Sequence, residues 1–110
     1  MKVILIEKHD GEGEFPAFPK GATVEKLTPC EESKHWMSCT IDGMDIYIPD
    51  FFVENNRLTR EYNPTELVAD KGETLEIQEI VFEWLYGKNE KGVYGWIPAE
   101  KVVSISLKYT

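Results

Sequence analysis

Four side chains in this sequence have the nucleophilic or metal-binding character that catalysis asks for first: Cys30, Cys39, His9 and His35. Cys30 and His35 flank one short polar segment, so a thiol and an imidazole can approach there. A cysteine nucleophile also needs a group that orients its base and donors that hold an oxyanion. Neither is visible beside that pair. The cysteines form no CxxC, and three or four ligands at zinc spacing are missing. The chain is therefore expected to be non-enzymatic, with no cofactor and no metal. If residues 31–34 form a hairpin loop, Cys39 lies about 10 Å along the strand from the point facing Cys30, so two free thiols are expected.

The richer chemistry is that of recognition. Rings and prolines that could serve it include Trp36, Pro49, Phe52, Tyr62, Trp84 and Pro98. Flat rings pack against proline rings, and carboxylates pair with flanking basic side chains. Acids that could serve it are Asp10, Glu12 and Glu14, and again Glu31 and Glu32.

These residues need elements to hold them, and the pattern is that of short strands. Alternating or β-rich runs cover residues 2–6, 22–27, 36–40, 45–48, 74–80, 84–88, 93–97 and 102–108. Breakers such as Asp10-Gly11, Asp42-Gly43 and Lys91-Gly92 separate them. Many short strands at such spacing predict a small all-β sandwich or barrel. The runs also repeat. Lys20-Gly21 returns as Lys71-Gly72, 51 positions on; His35-Trp36-Met37 as Glu83-Trp84-Leu85, 48 on; and Ile48-Pro49 as Ile97-Pro98, 49 on. The order is kept while the offset shifts at loops, which predicts a duplication with repeats at 1–54 and 57–110. Glu54-Asn55-Asn56-Arg57 is then a junction too short to be a flexible tether, so the two barrels should touch.

The second repeat resembles the SH3 domain over nearly its whole length. The residues that carry the resemblance are Leu58–Tyr62, Thr65–Val68, Asp70–Glu73, Glu83–Gly87, Gly92–Pro98 and Val102-Val103. The first repeat looks like a more divergent copy, keeping Pro19-Lys20-Gly21, Trp36 and Ile48–Val53, with His9 near the position of a groove tyrosine. The resemblance implies two tandem SH3-like small β-barrels of about five strands each. It also implies peptide grooves: Tyr62, Trp84 and Pro98 in the second barrel, Trp36, Pro49 and Phe52 in the first. In the second groove Arg60 and Lys101 replace two of the usual rings, which weakens it. The whole chain is also similar to small bacterial proteins made of two SH3-like domains.

Charge bears on the partner. The chain has 20 acids and 12 bases, a formal net charge of −8. Like charge repels phosphate and anionic lipid, so neither nucleic acid nor membrane is an expected partner. Residues 1–54 hold 11 acids and 5 bases, against 9 and 7 in residues 55–110. That makes the first groove the better candidate for a basic or proline-containing protein or peptide. The same acids also serve as a solvated face. Phe15-Pro16-Ala17-Phe18-Pro19 reads as a stiff loop before it reads as a ligand for another SH3 domain. The start shows no signal-peptide core, so a cytoplasmic location is expected. Two further functions are consistent with the pattern. One is binding of a cell-wall glycan-peptide or small molecule. The other is a structural or regulatory subunit that docks through the apolar Ile80-Val81-Phe82 segment.

Overall fold

The computed structural model describes residues 1–11, 14–31, 34–105. The chain is all-β; among the described residues there are ten strands: β1 (Lys2–Leu5), β2 (Glu25–Pro29), β3 (Trp36–Ile41), β4 (Met44–Pro49), β5 (Val53–Glu54), β6 (Arg57–Leu58), β7 (Thr74–Val81), β8 (Trp84–Lys88), β9 (Tyr94–Pro98) and β10 (Val102–Ser104). Single 3₁₀ turns at Asp50–Phe52 and Ala99–Lys101 follow Pro49 and Pro98. The ladders form a five-stranded sheet in the order β10-β1-β7-β8-β9, a three-stranded sheet β2-β3-β4 and a two-stranded sheet β5-β6. Among the described residues these ladders do not close into a continuous barrel. Of the predicted last strand, 102–108, the part beyond 105 lies outside the described residues.

The chain divides into two compact units, and they are not 1–54 and 57–110. The first contains Met1–Glu14 together with Thr65–Thr110, and the second contains Phe15–Pro64. The cause is local. Asn55 and Asn56 both have positive φ, 52° and 59°. Two such residues make the tight turn that suits a twisted hairpin, and asparagine tolerates that conformation better than most side chains. The segment expected to join two domains is therefore a hairpin loop, with Glu54 opposite Arg57 and Val53 opposite Leu58. It sends Leu58–Tyr62 back onto residues 18–24. Leu58 N–H donates to the Ala22 carbonyl, Gly21 N–H to the Leu58 carbonyl, and Phe18 and Tyr62 exchange both bonds at 2.8 and 2.9 Å.

The first unit repeats this arrangement with the amino-terminal segment. Gly72 N–H donates to the Leu5 carbonyl, and His9 and Ala69 exchange both bonds at 2.9 Å. Leu5–His9 thus does in the first unit what Leu58–Tyr62 does in the second. The match extends further. Ile6 N–H donates to the Lys101 carbonyl as Thr59 N–H does to Phe52, and Ala99 N–H to Glu83 as Asp50 N–H does to His35. The bulge between Glu25 and Thr28 on β2 recurs between Ile77 and Glu79 on β7.

Each unit buries its own apolar set. Val3, Leu5, Leu67, Ala69, Leu75, Leu85 and Ile97 form one cluster, with Ile77, Ala99 and Val102 packed against it. In the second unit Phe18, Val24, Ile41, Ile46, Ile48, Phe52 and Leu58 are all buried. A fully buried side chain of this size contributes about 1.5–3 kcal/mol, so the donated Leu5 and Leu58 are substantial parts of small cores. Phe18 at 2% exposure anchors the Phe15–Pro19 stretch in the second core, in keeping with a structural role for that string. Ile80 and Val81 lie on β7 rather than in a loop, and the turn there is Phe82-Glu83. Val81 is buried while Ile80 and Phe82 are exposed.

Candidate ligand-binding site

In both units a tryptophan that opens a strand stands opposite a proline that ends the next. Trp36 pairs with Pro49, and Trp84 with Pro98. Cross-strand partners share one face of a sheet, so each pair makes a ring-and-proline rung at the same place on its scaffold. A 3₁₀ turn follows each proline and brings Phe52 in the second unit, Lys101 in the first.

The exchange of first strands regroups the predicted site residues. Tyr62 was expected beside Trp84 and Pro98, as one groove. It instead lies in the second unit, edge-on to Phe52 at 5.4 Å between centroids, with its hydroxyl donating to the Tyr47 carbonyl at 2.7 Å. Trp36, Pro49, Phe52 and Tyr62 therefore belong to one unit. All four are buried: Trp36 is 8% exposed, Tyr62 4% and Phe52 1%. Phe52 also has Phe51 edge-on at 4.9 Å and the Arg60 guanidinium 4.4 Å over its ring. A ring buried and capped in this way is core, and it offers little face to a peptide.

The first unit has a different floor. His9 reaches the place that Tyr62 takes in the other unit, edge-on to Trp84 at 6.1 Å. His9 is buried, with Nε2 2.8 Å from Glu66 Oε1 and Nδ1 3.0 Å from Lys101 Nζ. An ammonium only donates, so Nδ1 accepts from Lys101, and Nε2–H donates to Glu66 Oε1. Lys101 Nζ also donates to the Lys8 carbonyl at 3.3 Å. The chain Lys101–His9–Glu66 holds the imidazole at a fixed angle beneath Trp84. Trp84 and Pro98 themselves are only half-buried. Glu66 was not singled out as a site residue, and His9 only as lying near the position of a groove tyrosine. The signal was present, since Leu5–His9 and Leu58–Tyr62 are separated by a constant 53 positions and both begin with leucine.

The predicted acids are divided. Asp10 and Glu14 are exposed residues of the first unit, and Lys8 Nζ lies 3.3 Å from Asp10 Oδ1. Glu31 is an exposed residue of the second. Glu12 and Glu32 lie outside the described residues. With the units as they are, the first holds 12 acids and 7 bases, a net −5, and the second 8 and 5, a net −3. The larger acidic excess thus sits with the Trp84–Pro98 rung.

His35 Nδ1 approaches Asp50 Oδ2 at 3.3 Å, both exposed. Cys30 and Cys39 are not joined in a disulfide. Cys39 is buried, and desolvation, with a smaller contribution from the Asp45 charge, pushes its thiol up to about 11. A thiol held neutral in this way is a poor nucleophile at pH 7. Among the described residues no group of three or more His, Cys, Asp or Glu side chains could hold a metal ion, and no helix is long and apolar enough to cross a membrane. Compared with protein-family models, with curated proteins and with solved structures, the chain matches none of them.

Proposed function

We propose that this chain is a non-enzymatic interaction module built of two SH3-like units, and that the first unit carries the working groove for a basic or proline-containing peptide. The observation that carries this reading is the contrast between two equivalent rungs. Trp84 and Pro98 are partly buried, with some face left open, whereas Trp36 and Pro49, with Phe52 and Tyr62, are buried. A recognition surface needs ring faces that solvent can leave when a ligand arrives. The groove preferred on sequence grounds has given its rings to the core. The recurrence of the same backbone bonds in both units supports the SH3-like reading of the scaffold. The net −5 of the first unit supports a basic partner over an acidic one.

The test is titration of the intact, ¹⁵N-labelled chain with a proline peptide flanked by arginine or lysine. The Trp84 indole signal is expected to move, with weak, fast-exchanging binding typical of shallow preformed grooves. An unmoved Trp84 at millimolar peptide would sink the proposal.

A second reading has its own observation. Ile80 is 60% exposed and Phe82 47%, side by side at the tip of the β7–β8 hairpin. Phe82 also holds a positive φ of 55°, a conformation that is uncommon for a bulky side chain. Such a tip suits docking of a larger protein, with the first unit as its support. Phe82→Asn would abolish that docking and leave peptide binding at Trp84 intact.

A further inference from the structure

The face of the β8–β9 hairpin that carries Trp84 and Pro98 continues beyond them. Two more rungs follow along the strands, Tyr86 opposite Trp96 and Lys88 opposite Tyr94. Tyr86 stacks on Tyr94 at 5.9 Å with 21° between the planes, and lies 5.0 Å from Trp96. Trp96 is buried and backs the row, Tyr86 is half-buried and Tyr94 is 46% exposed. Leu85 and Gly87, the alternate residues, point to the core side and are buried.

The fold does not require the Tyr86 and Tyr94 rings. At the same rungs of the second unit stand Ser38 opposite Tyr47 and Thr40 opposite Asp45. Thr40 there simply donates its hydroxyl to Asp45 at 2.8 Å. Serine, threonine and aspartate thus serve the same scaffold where the first unit has tyrosine, lysine and tyrosine. Two stacked rings that a scaffold can do without, Tyr86 and Tyr94, both at least partly open to solvent, are a surface for something else.

The neighbouring strand indicates what. Glu79 is the cross-strand partner of Tyr86, and Glu76 of Lys88, so a carboxylate flanks each rung on the same face. Ring faces attract cations, and a carboxylate beside the ring strengthens the preference. The row already holds one cation from its own chain, with Lys88 Nζ 5.8 Å from the centre of the Tyr94 ring. Guanidinium suits such a place better than ammonium, because it is planar, stacks on rings and is less strongly hydrated. Successive rungs are two residues apart, about 6.8 Å at strand rise. An extended ligand presents alternate side chains at the same spacing.

We propose that the Tyr86–Trp96 and Lys88–Tyr94 rungs are a docking strip for an extended segment of a partner protein with arginine at alternate positions, one guanidinium to each rung. The strip rests on the reading of the chain as an interaction module, and adds to it a second surface with its own ligand chemistry.

Two peptides separate the claims. One is a proline-free Gly-Arg-Ser-Arg-Ser-Arg-Gly peptide, the other the basic proline peptide used for the groove. The arginine peptide is expected to shift the Tyr86 and Tyr94 ring signals of the intact chain. The double variant Tyr86→Ser, Tyr94→Asp installs the residues that the other unit carries, and its dispersed amide spectrum will verify folding. It makes the face more negative, so charge alone would tighten the arginine peptide. Loss of the rings should weaken it about fivefold or more. Unchanged or tighter binding overturns the strip. So does an arginine peptide that shifts the Trp84 indole and leaves Tyr94 unmoved, or a chitooligosaccharide that shifts the strip when the peptide does not. A wild-type chain that binds the proline peptide and ignores the arginine peptide refutes the strip and leaves the groove standing. A chain that ignores both refutes both.

Discussion

Tyr62 decides between the two ways of dividing this chain. In contiguous repeats it would serve the barrel of Trp84; in the structure it closes the unit of Trp36. Its hydroxyl donates to the Tyr47 carbonyl at 2.7 Å, and its ring is 4% exposed against Phe52. Tyr62→Phe keeps the ring and removes one hydrogen bond to a carbonyl. The expected cost is about 1–2 kcal/mol, a factor of about 5–30 in the unfolding equilibrium. Tyr62→Ala also removes the ring, at about 3–5 kcal/mol for a buried aromatic. Urea titration followed at the indole ¹⁵N–¹H signals reads each unit separately, since Trp36 reports on the second and Trp84 and Trp96 on the first. With a urea slope of about 1–3 kcal/mol per molar, Tyr62→Phe should lower the Trp36 midpoint by a few tenths of a molar or more. The Trp84 and Trp96 midpoints should move less. If Trp84 melts earlier while Trp36 keeps its midpoint, residues 58–62 belong to the contiguous repeat and the exchange is wrong.

Two further outcomes follow from single residues. Cys39 should resist alkylation in the native chain at pH 8 while Cys30, half-buried, reacts first; mass spectrometry of the singly labelled protein locates the label, and initial labelling of Cys39 would contradict its burial. Because the folded thiol is raised to about 11 from 9.0, its contribution to stability is complete below pH 9 and is lost as pH rises through about 11. Cys39→Ser would flatten that alkaline decline in thermal melts. Gly95→Ala should destabilise the first unit by about 1–3 kcal/mol through overpacking. A Cβ there would stand 2.7 Å from the Leu67 nitrogen and 2.8 Å from its Cα, and backbone cannot swing aside. A variant with an unchanged midpoint would show that the Thr65–Leu67 segment does not lie against β9.

The strands were largely legible because alternation is a local signal. Trp84–Lys88 has the bounds that its pattern predicts, and Thr74–Val81 extends its run by one residue. Each Trp and Ile-Pro of the recurring pattern marks a strand start and a 3₁₀ entry in its unit. What local pattern does not carry is the partner of a strand. Leu5–His9 and Leu58–Tyr62 each precede a Lys-Gly turn in sequence, and either pairing satisfies their alternation. The choice fell to Asn55-Asn56. An Asn-Asn pair between two charged residues reads equally as a polar linker or as a tight hairpin turn, and only the positive φ of both residues separates the two.

That one turn has consequences along the whole site. Because Leu58–Tyr62 folds back, Tyr62 joins Trp36, Pro49 and Phe52, and four recognition-type residues become a buried cluster. Because Leu5–His9 supplies the other unit, a histidine and not a tyrosine lies under Trp84, and Glu66 and Lys101 are recruited to hold it. A cationic Lys101 that looked like a damaged ring wall is thereby a positioning group for His9. The acidic excess also changes sides, since Met1–Glu14 brings Glu7, Asp10, Glu12 and Glu14 to the unit with the partly buried Trp84. Cutting the chain between residues 54 and 57 would strip Val3 and Leu5 from one core and Leu58 and Tyr62 from the other. At about 1.5–3 kcal/mol for each buried aliphatic side chain, neither half has that much stability to give up in so small a core. The contiguous halves 1–54 and 57–110 are therefore not the compact units of this chain.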